Sequence, residues 1–326
     1  MPCIDIYSIL STPDYYPLKI DFRRQLMLFV RMSRDTYRES VFLDHRTKAL
    51  TQEFYEVRLD DLFLVIRTLH PPPKRSHYIL QTTYCCSTLL CRYLELLPTC
   101  FVLKEPLLLT QLAYIVDKST PMWINLFRAC TYLLARTYTQ QEIVMTKTHE
   151  PCNVLGKRML ETNELAAITF LRAPLKSFLL SILKSPERRR WVRRRVSQEG
   201  ANLAGGAKLE DIVGIDLSDA QAAACLWLVN NNIYSALSED SRVSLVESEQ
   251  VTKRPSDVLR NIFRSCNLPL EESDIESIVS HSIGQQYSKD LSKPYDAESR
   301  LRELTDLEGR FGDEANEGIE WAHSHL

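Results

Sequence analysis

The chain has 326 residues, of which 44% are hydrophobic and 25% charged, and its formal net charge is −2. That length suits one large α/β domain or two modest ones, and the apolar fraction is enough for a buried core. The near-neutral charge argues against a general nucleic-acid binder, and no stretch approaches the ~20 apolar residues of a membrane-spanning helix.

The opening "MPCIDIYSILSTPDYYPLK" lacks a basic segment followed by a long apolar run, so it is read as carrying no signal peptide. Residues 1–75 read as a helical or mixed lead-in. "DFRRQLMLFVRMSRDTYRES" has apolar residues at helical spacing, with Ser33 as a cap. "DDLFLVIRTLH" is a further helix, which Pro71–Pro73 must stop. Strands and helices then alternate. "HYILQ", "CFVLKE", "EIVMTK" and "LAAITFL" are strands; "STLLCRYLELL", "PLLLTQLAYIV", "PMWINLFRACTYLLART", "PCNVLGKRMLE" and "PLKSFLLSILK" are helices, with Pro106 and Pro174 at helix starts. Such alternation predicts an α/β fold with a central parallel sheet flanked by helices.

Beyond Pro186 lie the basic run "ERRRWVRRR", the glycine-bearing loop "SQEGANLAGGAKLED", the helix "DAQAAACLWLVNNNIYSAL" and the strand "RVSLVES". "RPSDVLRNIFRSC" and "EESDIESIVSHSIG" read as helices capped by Ser256 and Ser273. The α/β domain is expected over 76–300, and 301–326 as an acidic, loosely held tail. The nine cysteines form no CxxC pair. Cys85, Cys86 and Cys91 cluster without a histidine at metal-ligand spacing, so they read as buried reduced thiols, with a cytoplasmic location and no metal expected.

The first strand feeds its helix through "TTYCCST". A helix N-terminus offers unpaired N–H groups, and a turn packed on it can aim several at one anion. The turn has neither the glycines nor the lysine of a nucleoside-triphosphate loop, which disfavours an ATPase or kinase. The structural alternative is an ordinary strand-to-helix turn with Ser87 as the N-cap.

"VMTKTHEPCNVLGKRML" and "ITFLRAPLKSFLLSILK" together resemble the core of the sulfotransferases. "TYCCST" stands where that family has its phosphate-binding turn, and the segment from "RVSLVES" through "YSK" is similar to the family's C-terminal part. The resemblance implies a P-loop-like architecture with added helices at both ends. It also implies sulfuryl transfer from 3′-phosphoadenosine-5′-phosphosulfate to a hydroxyl or amine of a small-molecule or peptide acceptor. Thr83, Tyr84, Cys85, Cys86, Ser87 and Thr88 would cradle the 5′ phosphate, and Arg172 would pair with the 3′ phosphate. The family's serine falls at Leu180, so Ser181 or Ser177 would take its place, Ser181 being slightly preferred. Tyr84 stands where most members carry a turn lysine. Lys147 would supply charge at the leaving phosphate, and Glu105 or His149 would be the acceptor's base, with the preference for Glu105. The degenerate turn leaves open a non-catalytic, sulfotransferase-fold binding protein, and less favourably a kinase of a small metabolite.

The six arginines around Trp191 admit three readings: a salt-bridged face, a lining for the donor pocket, or a polynucleotide track. Trp191 is expected to anchor that helix in the core.

Overall fold

The computed structural model describes residues 5–47, 54–69, 74–203, 216–287, 290–294 and 296–325. The elements run α1 (Ile6–Ser11), β1 (Tyr15–Asp21), β2 (Leu26–Arg31), α2 (Arg34–Glu39), β3 (Phe54–Arg58), α3 (Leu59–Leu69), β4 (Ser76–Gln81), α4 (Ser87–Leu94), β5 (Cys100–Lys104), α5 (Leu107–Ala113), α6 (Pro121–Leu134) and β6 (Ile143–Lys147). They continue with α7 (Gly156–Thr162), β7 (Ala166–Arg172), α8 (Leu175–Leu183), α9 (Pro186–Leu203), α10 (Asp219–Leu237), β8 (Val243–Glu247), α11 (Ser248–Lys253), α12 (Pro255–Ser265), α13 (Glu272–Ser280), β9 (Gln286–Tyr287), β10 (Asp290–Pro294) and α14 (Ala297–His323).

The expected α/β class is found. β4 to β8 form a five-stranded parallel sheet in the order β5-β6-β4-β7-β8. β4, β5 and β6 are buried at every position, as strands covered by helices on both faces must be. From β4 the chain goes to one side for β5 and β6 and to the other for β7 and β8, so the carboxyl end of β4 is the sheet's switch point.

The chain divides into two compact units. One comprises Met1–Leu80, Leu90–Thr169 and Ser265–Leu268. It contains a three-stranded antiparallel sheet, β1-β2-β3, whose middle strand lies where the sequence pattern suggested a helix. "LMLFVR" is a strand because pairing with β1 on one side and β3 on the other outweighs a helical reading of a short apolar run. Its hairpin turn is closed by Asp21, whose carboxylate accepts from the N–H of Arg23 and Arg24 (both 3.1 Å), with Gln25 at φ 53°. Ser33 does cap a helix, α2, through Thr36 N–H. The buried Arg136 at the end of α6 ties down the lead-in by donating to the carbonyls of Thr12 (2.7 Å) and Tyr15 (2.6 Å).

The other unit comprises Gln81–Leu89, Phe170–Arg264 and Pro269–Leu326. Here the expected loose tail is instead α14, a helix of 27 residues packed on α8 and α10. Its buried stripe is mostly small (Leu307, Ala315, Gly318, Ala322), and its acids pair with cations of the neighbouring helices: Glu308 with Lys176, Glu303 with Lys184, Glu314 with Arg189. The loop expected from Ser197 is helical up to Leu203, and its remainder lies outside the described residues, as do Pro71–Pro73 and two residues of the "YSK" stretch. Ser273 lies inside α13, whose N-cap is Glu271, and α12 begins at Pro255, ahead of Ser256. Among the described residues no helix is long and apolar enough to cross a membrane.

Candidate functional site

The turn after β4 adopts a backbone that its residue types disfavour. Thr83 (φ 65°), Tyr84 (φ 50°) and Cys86 (φ 59°) all lie in the left-handed region, at a cost of about 1 kcal/mol each or more for non-glycine residues. The surroundings over-determine it. Thr82 N–H donates to the Leu171 carbonyl (3.2 Å), and Thr82 Oγ1 accepts from Ala173 N–H (2.8 Å). The buried Gln81 accepts from the hydroxyl of Ser87 and from the thiol of Cys85 (3.5 Å). Thr83 Oγ1 is buried without a hydrogen-bond partner. Thr88, next to Ser87 in the first turn of α4, is buried too. Burial pushes the Cys86 thiol up and that of Cys91 to about 12, so both are protonated at neutral pH.

The hydrogen bonds on Thr82 bracket Arg172, which ends β7. Its guanidinium is already engaged: Nε donates to Glu247 (3.0 Å), Nη1 to Asn231 (2.7 Å) and Nη2 to Glu247, with the rings of Trp227 and Tyr234 within 6 Å. Trp227 in turn donates to the Ala173 carbonyl (2.8 Å). A cavity of about 520 Å³ opens beside it, lined by Arg172, Trp227, Glu247, Glu249, Lys253 and Arg254 among others. Lys253 pairs with Glu249 (2.7 Å), whereas Arg254 has no carboxylate partner among the described residues. Ser177 is half-buried and donates to Glu249 (3.4 Å), on the lining of this cavity. Ser181, the slightly preferred choice from sequence, is buried, and its hydroxyl receives Arg300 of α14 (3.1 Å).

In the first unit, Glu105 follows β5 at φ 57°, its N–H donates to the Lys147 carbonyl (2.7 Å), and its carboxylate meets Lys147 Nζ at 2.7 Å. The register sets Lys104 opposite Lys147, which brings the ends of β5 and β6 level. Lys147 is buried and lies over the Phe42 ring (5.1 Å). His149 is half-buried at the N-cap of the 3-10 turn Glu150–Leu155, and its ring makes no hydrogen bond among the described residues. The adjoining Lys104 is structural: it is fully buried, paired with Glu95, and donates to the Arg38 carbonyl (3.0 Å).

The arginine run resolves residue by residue. Arg189 pairs with Asp219 and Glu314, Arg190 with Glu187 and Arg193 with Asp219, while Arg188 lies 4.0 Å from the centroid of the Tyr84 ring. Trp191 is half-buried rather than a core residue, and its ring meets the Tyr84 ring edge-on at 6.4 Å. Sequence reasoning did not single out Arg188, Glu247, Lys253 or Arg254. Only the helical phase of α9 and the fold of β8 and α11 reveal which of many charged residues face these segments.

The chain is similar to sulfotransferases of solved structure. A sulfotransferase domain from the curacin biosynthetic pathway is 12% identical over 74% of this chain and 98% of its own, with a TM-score of 0.42. A sulfotransferase from Mycobacterium tuberculosis is 12% identical over 76% of this chain and 81% of its own, with a TM-score of 0.44. A mouse sulfotransferase complexed with PAP is 12% identical over 81% of this chain and 88% of its own, with a TM-score of 0.41. At such identities no residue's role transfers from those proteins to this one. No family model and no curated protein matches the sequence. Among the described residues no group of three or more His, Cys, Asp or Glu is placed to hold a metal ion.

Proposed function

We propose that the protein is a sulfotransferase-like enzyme that binds 3′-phosphoadenosine-5′-phosphosulfate and passes its sulfuryl group to a hydroxyl or amine of a small-molecule or peptide acceptor. One observation carries the reading: a strained, left-handed turn between the switch-point strand and a helix N-terminus, with Arg172 at the neighbouring strand end. Backbone strain that the surroundings enforce is the mark of a functional segment. The orphaned Thr83 hydroxyl and the N–H groups of the first turn of α4 suit a 5′ phosphate. The cavity beside Arg172 fits the second phosphate in size and in cations, with Lys253 and Arg254 joining Arg172. A phosphate there competes with Glu247 for the guanidinium.

The donor supplies an activated sulfuryl group. On this reading Glu105 is the base for the acceptor's proton, with His149 as the alternative, and Lys147 carries the charge that answers the leaving phosphate. Titration with 3′,5′-adenosine bisphosphate tests the proposal. Binding by the wild type and its loss in Arg172→Ala support it; no binding, or equal binding by both, refutes it.

A second reading, a binding protein that transfers nothing, is favoured by one observation: Arg172 and Lys147 both rest in ion pairs with carboxylates. Donor turnover with varied acceptors separates the two, since Lys147-dependent sulfation dismisses the second.

A further inference from the structure

Resting on the donor reading above, we infer that Arg188 is the anion-binding cation of the lysine-free turn, reaching it from α9. Of the arginines on that helix, Arg189, Arg190 and Arg193 are spent on carboxylates. Arg188 is half-buried and has no carboxylate partner among the described residues. Its Nη1 donates to the Ser181 carbonyl (2.6 Å), which steadies the side chain across the end of α8. Its guanidinium then lies over the ring of Tyr84, a left-handed residue of the turn itself.

Trp191, one helical turn further on, braces the same ring from its edge at an interplanar angle of 89°. Two side chains of α9 thus grip the one turn residue that stands where a lysine would be expected. A guanidinium carries five N–H donors. One of Arg188's is used on Ser181, and no other bond is made among the described residues. What remains is a planar fork whose geometry matches two oxygens of a phosphate or sulfate, beside a turn whose Thr83 hydroxyl is also unbonded. Arg300, the other arginine that reaches Ser181, is held by Glu303 (3.1 Å) and is the weaker candidate.

The full chain is titrated with pyrophosphate and with 3′,5′-adenosine bisphosphate at two salt concentrations. Calorimetry is the readout, with intrinsic tryptophan fluorescence beside it, for wild type, Arg188→Gln, Arg188→Lys and Arg190→Gln. Loss of one charge-assisted fork weakens pyrophosphate binding by about tenfold to a hundredfold in Arg188→Gln and flattens its salt dependence. Arg188→Lys keeps the salt slope but binds about threefold or more weaker. The exposed Arg190→Gln binds as wild type does. Arg188→Gln within twofold of wild type, or a wild type that ignores pyrophosphate, overturns the inference. Should Arg188→Gln fail to fold, Arg188→Lys decides alone, and unchanged affinity overturns. A wild type that takes pyrophosphate through Arg188 but not the bisphosphate upholds the inference and sinks the donor reading instead.

Discussion

Thr83 concentrates the tension of the candidate site in one residue: a left-handed backbone, a buried hydroxyl without a partner, and no compensating glycine flexibility. Thr83→Gly relieves the strain and removes the orphaned oxygen. A gain of about 1 kcal/mol in urea unfolding is expected, together with weaker anion binding. A variant that is less stable would show that the turn is not strained. Glu247 makes the complementary case. It holds Arg172 through two nitrogens and places a negative charge in the cavity where a phosphate is proposed. Glu247→Gln removes that competitor, so affinity for the bisphosphate should rise by about fivefold, roughly 1 kcal/mol. A fall instead would mean that Glu247 orients Arg172 for its ligand. Glu105, preferred over His149 as the base in the sequence reading, sits directly after β5. Its partner Lys147, 42 positions on, could be matched to it only by the strand register.

At the scale of elements, α14 differs most from its sequence signature. Its acids suggest a solvated tail, yet they answer Lys176 of α8, Lys184 at its C-cap and Arg189 of α9. Its close approach depends on Gly318, where a Cβ would stand 2.9 Å from the Ala220 carbonyl oxygen at the start of α10. Gly318→Ala should therefore destabilise by about 1–2 kcal/mol, the overlap outweighing alanine's better helix propensity. Gly309→Ala, with nothing within 4 Å of the new methyl group, should instead gain about 1 kcal/mol. Denaturant midpoints of the pair check this, and equal shifts would place the two glycines in equivalent surroundings. The β1-β2-β3 sheet teaches the converse lesson: "LMLFVR" is too short for its period to decide between helix and strand, and the pairing strands decided.

For the molecule as a whole, pH is the informative lever. His77 is buried in β4, with Cys266 Sγ 2.9 Å from its Nδ1 and Thr169 Oγ1 2.9 Å from its Nε2. Burial lowers its pKa from 6.5 to about 3 and raises the Cys266 thiol to about 12, so both are neutral in the fold. Above pH 6.5 neither folded nor unfolded chain holds the proton, and the group costs nothing. As pH falls from 6.5 towards 3 the unfolded chain takes up a proton that the folded chain refuses, so stability drops by up to about 1.4 kcal/mol per unit. Between pH 7.5 and 4.5 wild type should lose about 2–3 kcal/mol more than His77→Gln, as read by denaturant unfolding. Equal losses would mean that His77 is charged in the fold.

Alternation of apolar strands and amphipathic helices from residue 76 onward determined the parallel α/β sheet, because a βαβ connection closes over a short stretch of chain and leaves its periods in the residues. The segments "TYCCST", "KTH" and "RAP" were legible for the same reason: each is a local strand ending. Which arginine meets the turn, which carboxylate holds Arg172, which serine bonds Glu249 of its cavity and where the acidic C-terminal helix docks were decided by tertiary structure alone. These are contacts between residues tens to more than a hundred positions apart, set by helical phase and register, and a linear sequence of charges does not encode which of its many opposite charges will meet.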